Sequence, residues 1–361
     1  MAGVACGLAA GAFAFGAALG DSPSAPTPSA ASQLSLGQLA GQRIVVGFEG
    51  TEVPASVRGM VREGRVAGVI LFADNFPSRS AGRGLVDDLQ AIPRPGGLRD
   101  PLLVMIDQEG GLVKRIGGAP DASARQMGAR GATFSREQGE RTARNLGNVG
   151  VNVDLAPVLD VARPGGTIAD TDRGFGSTPT RVIATAVPFA EGLEAGGVAA
   201  TAKHFPGLGV ARLNTDFAVQ RIDLSKAELR RLDEAPYRRF IAARGAMVML
   251  STATYSAFSS KPAAFVRSIV TGELRTHLGF AGVSITDALN TVAVRDFGGP
   301  AKAGLAAAQA GVDLLLYADP SSGARAQDAL LRRLRSGSLS RSAAEESVGR
   351  VLRLRHRLSS G

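Results

Sequence analysis

Tryptophan is absent from this 361-residue chain, and aromatic residues together make up only 5% of it. A core must therefore be assembled from Val, Leu, Ile and Ala, the residues that commonly fill parallel barrel interiors. Cysteine occurs once, as Cys6, which excludes an intrachain disulfide and a cysteine-built metal site. Histidine is nearly as scarce, with only His204, His277 and His356, so few side chains titrate near neutral pH. Nucleic-acid reading motifs and aromatic stacking platforms are also missing. This argues against a nucleic-acid partner despite the net charge of +9. The basic residues are scattered, apart from "LLRRLRSGS" and "RVLRLRHRL" near the C-terminus, where helical spacing reads as a solvated face. A scaffold that attracts anionic wall polymer or lipid through such a face is the least specific of the readings kept open.

Glycine is abundant, at 46 residues, and hydrophobic residues make up 45% of the chain. The length allows one large core or two ordinary domains. Residues 1–20, "MAGVACGLAAGAFAFGAALG", carry no charged side chain. They read as a signal-peptide apolar region, with a short membrane anchor as the rival. Residues 21–35 form a Pro/Ser/Ala-rich linker expected to be disordered, and 36–358 the folded part. This organisation predicts an extracytoplasmic location, with membrane contact only through the N-terminal segment.

From Leu36 onward short apolar runs alternate with amphipathic ones. The strand candidates are Arg43–Phe48, Ala67–Phe72, Pro101–Asp107, Val151–Pro157, Val198–Phe205, Ala246–Thr252, Gly282–Asp287 and Gly311–Tyr317. Each is short and almost continuously apolar, as suits strands buried on both faces. Between them, "SREQ" from Ser135 and "SKAE" from Ser225 read as capping boxes that open helices, and "GLEAGG" reads as a helix end. Strand–helix alternation of this kind favours an α/β fold, a single-domain (β/α)8 TIM-type barrel, over a doubly wound sheet. Chemistry then belongs at the strand C-termini. Polar groups do stand there: Asp107 after the third run, Lys203 and His204 in the fifth, Ser251 and Thr252 in the sixth, Asp287 in the seventh. The loop after His204 contains Gly207 and Gly209, which would give it hinge freedom.

The segments "GVILFADN", "DQEGG", "APVLDV", "DRGFGSTP", "KHFPG" and "GVSITDAL" resemble, in that order, glycoside hydrolase family 3. Within it they resemble the bacterial single-domain β-N-acetylglucosaminidases that act on cell-wall-type glycans in peptidoglycan turnover. The resemblance spans about Leu36 to Leu358, and "DQEGG" with "KHFPG" is its most specific part. It implies a retaining β-glycosidase, in which a carboxylate attacks the anomeric carbon and a second group protonates the leaving oxygen. It implies Asp287 as the nucleophile, and Asp107, Arg115, Arg173, Lys203 and His204 as sugar-binding residues. It implies a carbohydrate partner and neither cofactor nor metal. Each residue also has a plainer reading: a helix cap for Asp287, structural ion pairs for Arg115 and Arg173, a satisfied core histidine for His204.

One loop departs from the family pattern. Where the family reads K-H-F-P-G-H-G and then D-S-H, this chain has Leu208, Asn214 and Asp216 in place of His, the orienting Asp and the acid/base His. Leu112, Thr252 and Ala288 also replace the family's Arg, His and Asp. Asp216 is the ionisable side chain left at the acid/base position. A free Asp titrates near about 3.9, so acting as an acid requires burial or a neighbouring negative charge to raise it. The alternative to an active enzyme is a glycan-binding pseudoenzyme on the same barrel.

Overall fold

The computed structural model describes residues 30–359, together with Met1 and Gly3. The leader-like segment and most of the linker lie outside the described residues. Within the described residues no helix is long and apolar enough to cross a membrane. Order begins earlier than expected from composition. Ala30–Gln33 is a helical turn, Ala31 and Leu34 are buried, and Ser35 caps the helix Leu36–Gly41.

Eight parallel strands form one sheet: β1 (Ile44–Gly47), β2 (Gly68–Ile70), β3 (Leu103–Ile106), β4 (Val153–Asp154), β5 (Ala199–Phe205), β6 (Met247–Leu250), β7 (Val283–Thr286) and β8 (Leu315–Tyr317). Their spatial order is β7-β6-β5-β4-β3-β2-β1-β8. A parallel bridge between Ile285 and Leu314 joins the two ends, so the sheet closes into a (β/α)8 barrel with helices around it. Every strand candidate found in the sequence contains one of these strands.

Alternation along each strand divides the core in two. Val45, Ile70, Leu103, Met105, Met247, Met249, Val283 and Ile285 pack inside the barrel. Their neighbours Val46, Val69, Val104, Ile106, Val248 and Leu250 pack outward against the helices. The period-2 geometry of a strand makes this division automatic. The barrel interior contains methionine and aliphatic residues, with Phe72 the one aromatic packed against it among the described residues. This matches a chain poor in aromatics.

The local helix signals had mixed outcomes. Ser225 and Glu228 do form a capping box, and the helix Pro179–Ala195 ends on Gly196. Ser135 does not open a helix: the element runs Ala132–Gly147, starting at Gly131. Ser135 is buried inside it and donates to the Met127 carbonyl, while Gln138 accepts from the Asp121 amide. A tertiary contact has taken both polar groups that the local motif would have paired. The C-terminal basic run is not a solvated face throughout. Arg355, fully buried in the helix Arg341–Ser359, donates to Gln42 and to the carbonyls of Leu98, Asp100 and Pro101. Arg350 reaches buried Asp313 at 2.8 Å.

Candidate active site

The strand C-termini open onto a cleft of about 490 Å³. Asp107, Arg115, Arg173, Lys203, His204, Asp216 and Asp287 all line it. These residues come from the ends of four strands, β3, β4, β5 and β7, and the connections after them, so only barrel closure brings them together.

The inner end is an ion-pair network. Lys203, at the end of β5, places its Nζ 2.7 Å from both Asp107 and Glu109. Arg173 donates to both oxygens of Glu109 at 2.8 Å. Arg115 approaches Asp107 at 3.4 Å. Burial pushes the Glu109 carboxyl up, but Arg173 and Lys203 outweigh it and hold the carboxyl far below its ordinary range. Asp107 is likewise held below its ordinary value, as Lys203 and Arg115 overcome burial. Lys203 is shifted up, since the two carboxylates outweigh its desolvation. Asp107, Glu109 and Lys203 are therefore charged at neutral pH. Arg173 does make the structural ion pair considered for it, yet it also stands in the cleft wall.

Glu109 was not singled out from the sequence, although it lies inside "DQEGG". The signal was available: a second carboxylate two residues after Asp107, with only buried Gln108 between them. That glutamine explains the local fold. Gln108 accepts from the Arg115 and Ile116 amides and donates to the Ile116 and Ala119 carbonyls. It thereby folds the hairpin that returns Arg115 to the cleft. Gly110 and Gly111 turn the hairpin at positive φ, 94° and 59°, which glycine adopts without steric penalty.

His204 is held by Asp160, another residue the sequence reading passed over within "APVLDV". Asp160 Oδ2 lies 2.7 Å from His204 Nδ1, while its Oδ1 accepts from the His204 and Leu208 amides. This leaves the Nε2 edge of the ring for the cleft.

Asp287 follows β7 and is half-buried. Its amide donates to Leu250, and its Oδ1 accepts from the Ala288 amide at 2.8 Å. Thr215, on the loop after β5, offers its hydroxyl to Asp287 Oδ2 at 3.5 Å. Burial raises the Asp287 pKa. His204 opposes that shift and the Asp216 carboxylate adds to it. Asp216 thus lies within electrostatic reach of Asp287. Asn214 donates to Asp216 Oδ2 at 3.1 Å and accepts from its amide at 3.0 Å, and the Asp216 carbonyl accepts from Val292. The loop is latched at both Thr215 and Asp216 to the segment that carries Asp287.

The hinge expected at Gly207 and Gly209 is not what those glycines provide. A Cβ on Gly209 would stand 1.9 Å from the Val161 carbonyl oxygen, and one on Gly207 2.5 Å from the Asp233 Cβ. Leu208 and Ala211 are buried beside them. The first half of the loop is packed floor, and the exposed part begins at Arg212. Leu208, where the family pattern has histidine, is a core side chain here. Away from the cleft, Glu234, Glu273 and His277 bring ligand atoms within 4.8 Å of one another. Glu273, however, already accepts from Lys226 and Arg230, which supply the positive charge a metal would bring.

Residues 33–354 match the glycosyl hydrolase family 3 N-terminal domain. An uncharacterized secreted glycosyl hydrolase of Arthroderma benhamiae is 37% identical over 336 residues, 90% of this chain and 95% of that protein. A beta-hexosaminidase of Alkalilimnicola ehrlichii is 33% identical over 76% of this chain and 79% of its own length. The family 3 beta-N-acetylglucosaminidase of Paenibacillus sp. superposes with a TM-score of 0.86 at 33% identity, and 90% of this chain covers 63% of that enzyme. The beta-N-acetylhexosaminidase of Beutenbergia cavernae superposes with a TM-score of 0.83 at 31% identity, covering 90% of this chain and 99% of the other. With a matching domain over nearly the whole described barrel and relatives of this similarity, the chain belongs to glycosyl hydrolase family 3 and is a glycosyl hydrolase.

Proposed function

We propose that the protein is a retaining β-N-acetylhexosaminidase, with Asp287 as nucleophile and Asp216 as acid/base. The observation that carries this reading is the presence of two carboxylates from separate loops, Asp216 and Asp287, over one cleft whose floor is a charged ion-pair network. Asp287 Oδ attacks the anomeric carbon as the glycosidic C–O bond breaks, and Asp216 delivers its proton to the leaving oxygen. The resulting glycosyl ester is then opened by water, which Asp216 deprotonates, releasing the sugar and free Asp287.

Asp107, Arg115, Arg173 and Lys203 supply acceptors and donors for the sugar hydroxyls. Charged hydrogen bonds of this type contribute roughly 1.5–3 kcal/mol each. His204 presents Nε2 to the same ring, with Asp160 setting its orientation. Glu109 positions Arg173 and Lys203. The N-acetyl preference rests on the likeness to relatives named for that activity. The secreted Arthroderma relative supports an extracytoplasmic location.

The test is hydrolysis of an aryl β-N-acetylglucosaminide followed by proton NMR of the first-formed product. The β-anomer is expected, and the α-anomer would rule out the double-displacement route. Asp287→Ala should abolish turnover while leaving the thermal unfolding midpoint nearly unchanged, since a cleft carboxylate is not a packing residue. Turnover surviving in that variant would remove Asp287 from the mechanism. Sugar binding by the wild type without turnover on any β-glycoside would instead favour the pseudoenzyme.

A further inference from the structure

In the folded part of the described chain, four large apolar side chains are strongly exposed: Leu112, Leu213, Phe217 and Val219. All four lie on the two loops that follow β3 and β5, which also bring Arg115 and Asp216 to the cleft. Elsewhere the barrel keeps such groups covered. Tyr237, Tyr255 and Tyr317 are fully buried, and Phe217, 78% exposed, is the one largely exposed aromatic among the described residues. A concentration of uncovered apolar surface in one place marks a contact site.

Phe217 is also a wall of the cleft, and it follows Asp216 directly. A general acid must come within about 2.6–3.2 Å of the oxygen it protonates. Whatever group is bonded to that oxygen is therefore delivered beside residue 217. Val113 and Val292 line the same cleft, together with the polar Asn214, Asn290 and Thr291 of the same loops. Beyond the ion-pair network that would hold the transferred sugar, the loops thus offer mixed surface whose one exposed ring is Phe217.

We propose that Phe217 forms the platform of a leaving-group subsite that takes a second pyranose ring through its flat C–H face. An aromatic ring and a pyranose face match in size and in apolar character, and Phe217 carries no polar atom whose partner would have to be lost. The subsite rests on the glycosidase reading above for the place of the leaving oxygen. The enzyme then prefers disaccharide or longer glycans to simple alkyl glycosides.

The experiment compares wild type, Phe217→Ala and Phe217→Trp on three β-N-acetylglucosaminides: N,N′-diacetylchitobiose, a 4-nitrophenyl glycoside and a methyl glycoside. Taking each variant relative to wild type on the same substrate cancels intrinsic leaving-group reactivity. In Phe217→Ala the kcat/KM ratio of chitobiose to methyl glycoside should fall about five- to tenfold, the size expected for one lost ring contact. Phe217→Trp should restore it. An unchanged ratio, or an equal loss on all three substrates, overturns the subsite. A loss confined to the nitrophenyl glycoside shows that the ring reads arenes, and overturns the pyranose assignment. Calorimetry of chitobiose against N-acetylglucosamine separates this inference from the reading beneath it. If wild type cleaves nothing, the glycosidase reading fails. The subsite then still stands if wild type binds the disaccharide more tightly than the monosaccharide and Phe217→Ala removes the difference, and falls if that difference is absent or survives in the variant.

Discussion

Asp287 is tuned by its surroundings. Burial and the Asp216 charge raise the Asp287 pKa, and His204 lowers it. A nucleophile must be ionised, so the acid limb of kcat/KM should lie above the value of a free aspartate. Asp216→Asn leaves a neutral side chain beside Asp287, as protonated Asp216 does when it acts as the acid. Its acid limb, followed on an aryl glycoside that needs little protonation, should stay in place, while the basic limb seen with poorer leaving groups should vanish. On substrates with poor leaving groups the same variant should lose about 10²–10⁴-fold in rate, the usual contribution of general acid catalysis. A basic limb that survives in the variant would remove Asp216 from the role of acid. The family's histidine is thus replaced by a carboxylate whose usefulness depends on proximity to a second carboxylate. The sequence could name both residues but could not bring them together.

Elements decide what the glycines after His204 are for. A loop glycine suggests freedom when read along the chain. Around Gly209 the barrel rim leaves no space for a methyl group, because the Val161 carbonyl oxygen occupies it. The Gly209 carbonyl also accepts from the Arg163 amide, and Ala211 from Thr167. Gly209→Ala should therefore lower the unfolding midpoint by several degrees, roughly 1–3 kcal/mol as for other overpacked sites. A pure hinge role predicts instead an unchanged midpoint and a changed kcat. Differential scanning calorimetry alongside kinetics tells the two apart. The exposed part of this loop is the stretch from Arg212 to Gln220, which carries Asp216 and Phe217.

The whole barrel depends on closing β7 against β8. Asp313, fully buried at the bottom of the barrel, performs much of that closure. Its carboxylate accepts from the Ser284 amide and hydroxyl, from Ser347 and Arg350 of the last helix, and from Arg275. Burial pushes its pKa up, but Arg275 and Arg350 outweigh this and hold it below the ordinary value. A carboxyl with a depressed folded pKa stabilises the fold above its unfolded pKa, and that stability is lost as pH falls through the folded one. Asp313→Asn should cost roughly 3–5 kcal/mol, the usual penalty for breaking a buried ion pair from one side. It should also flatten the acid limb of the stability profile below about pH 4. Urea melts at pH 7 and pH 3 measure both effects, and an equal loss at the two pH values would show that packing, not charge, is what Asp313 provides.

Alternation of short apolar runs with amphipathic ones was enough to specify a barrel, because strands buried on both faces must read as continuous hydrophobic segments. The polar residues ending those runs were enough to mark Asp107, Lys203, His204 and Asp287. Other features could not be read along the chain, since they depend on groups far apart in sequence. Asp160 became visible only through its partner His204, 44 residues away. Ser135 looked like a cap until a tertiary neighbour claimed it. Arg355 looked solvated until the barrel base supplied four carbonyl and amide acceptors. Hydrophobic period is a local property that survives in one dimension. Pairing of buried charge and the crowding of a glycine exist only once the sheet has closed and distant strands share a rim.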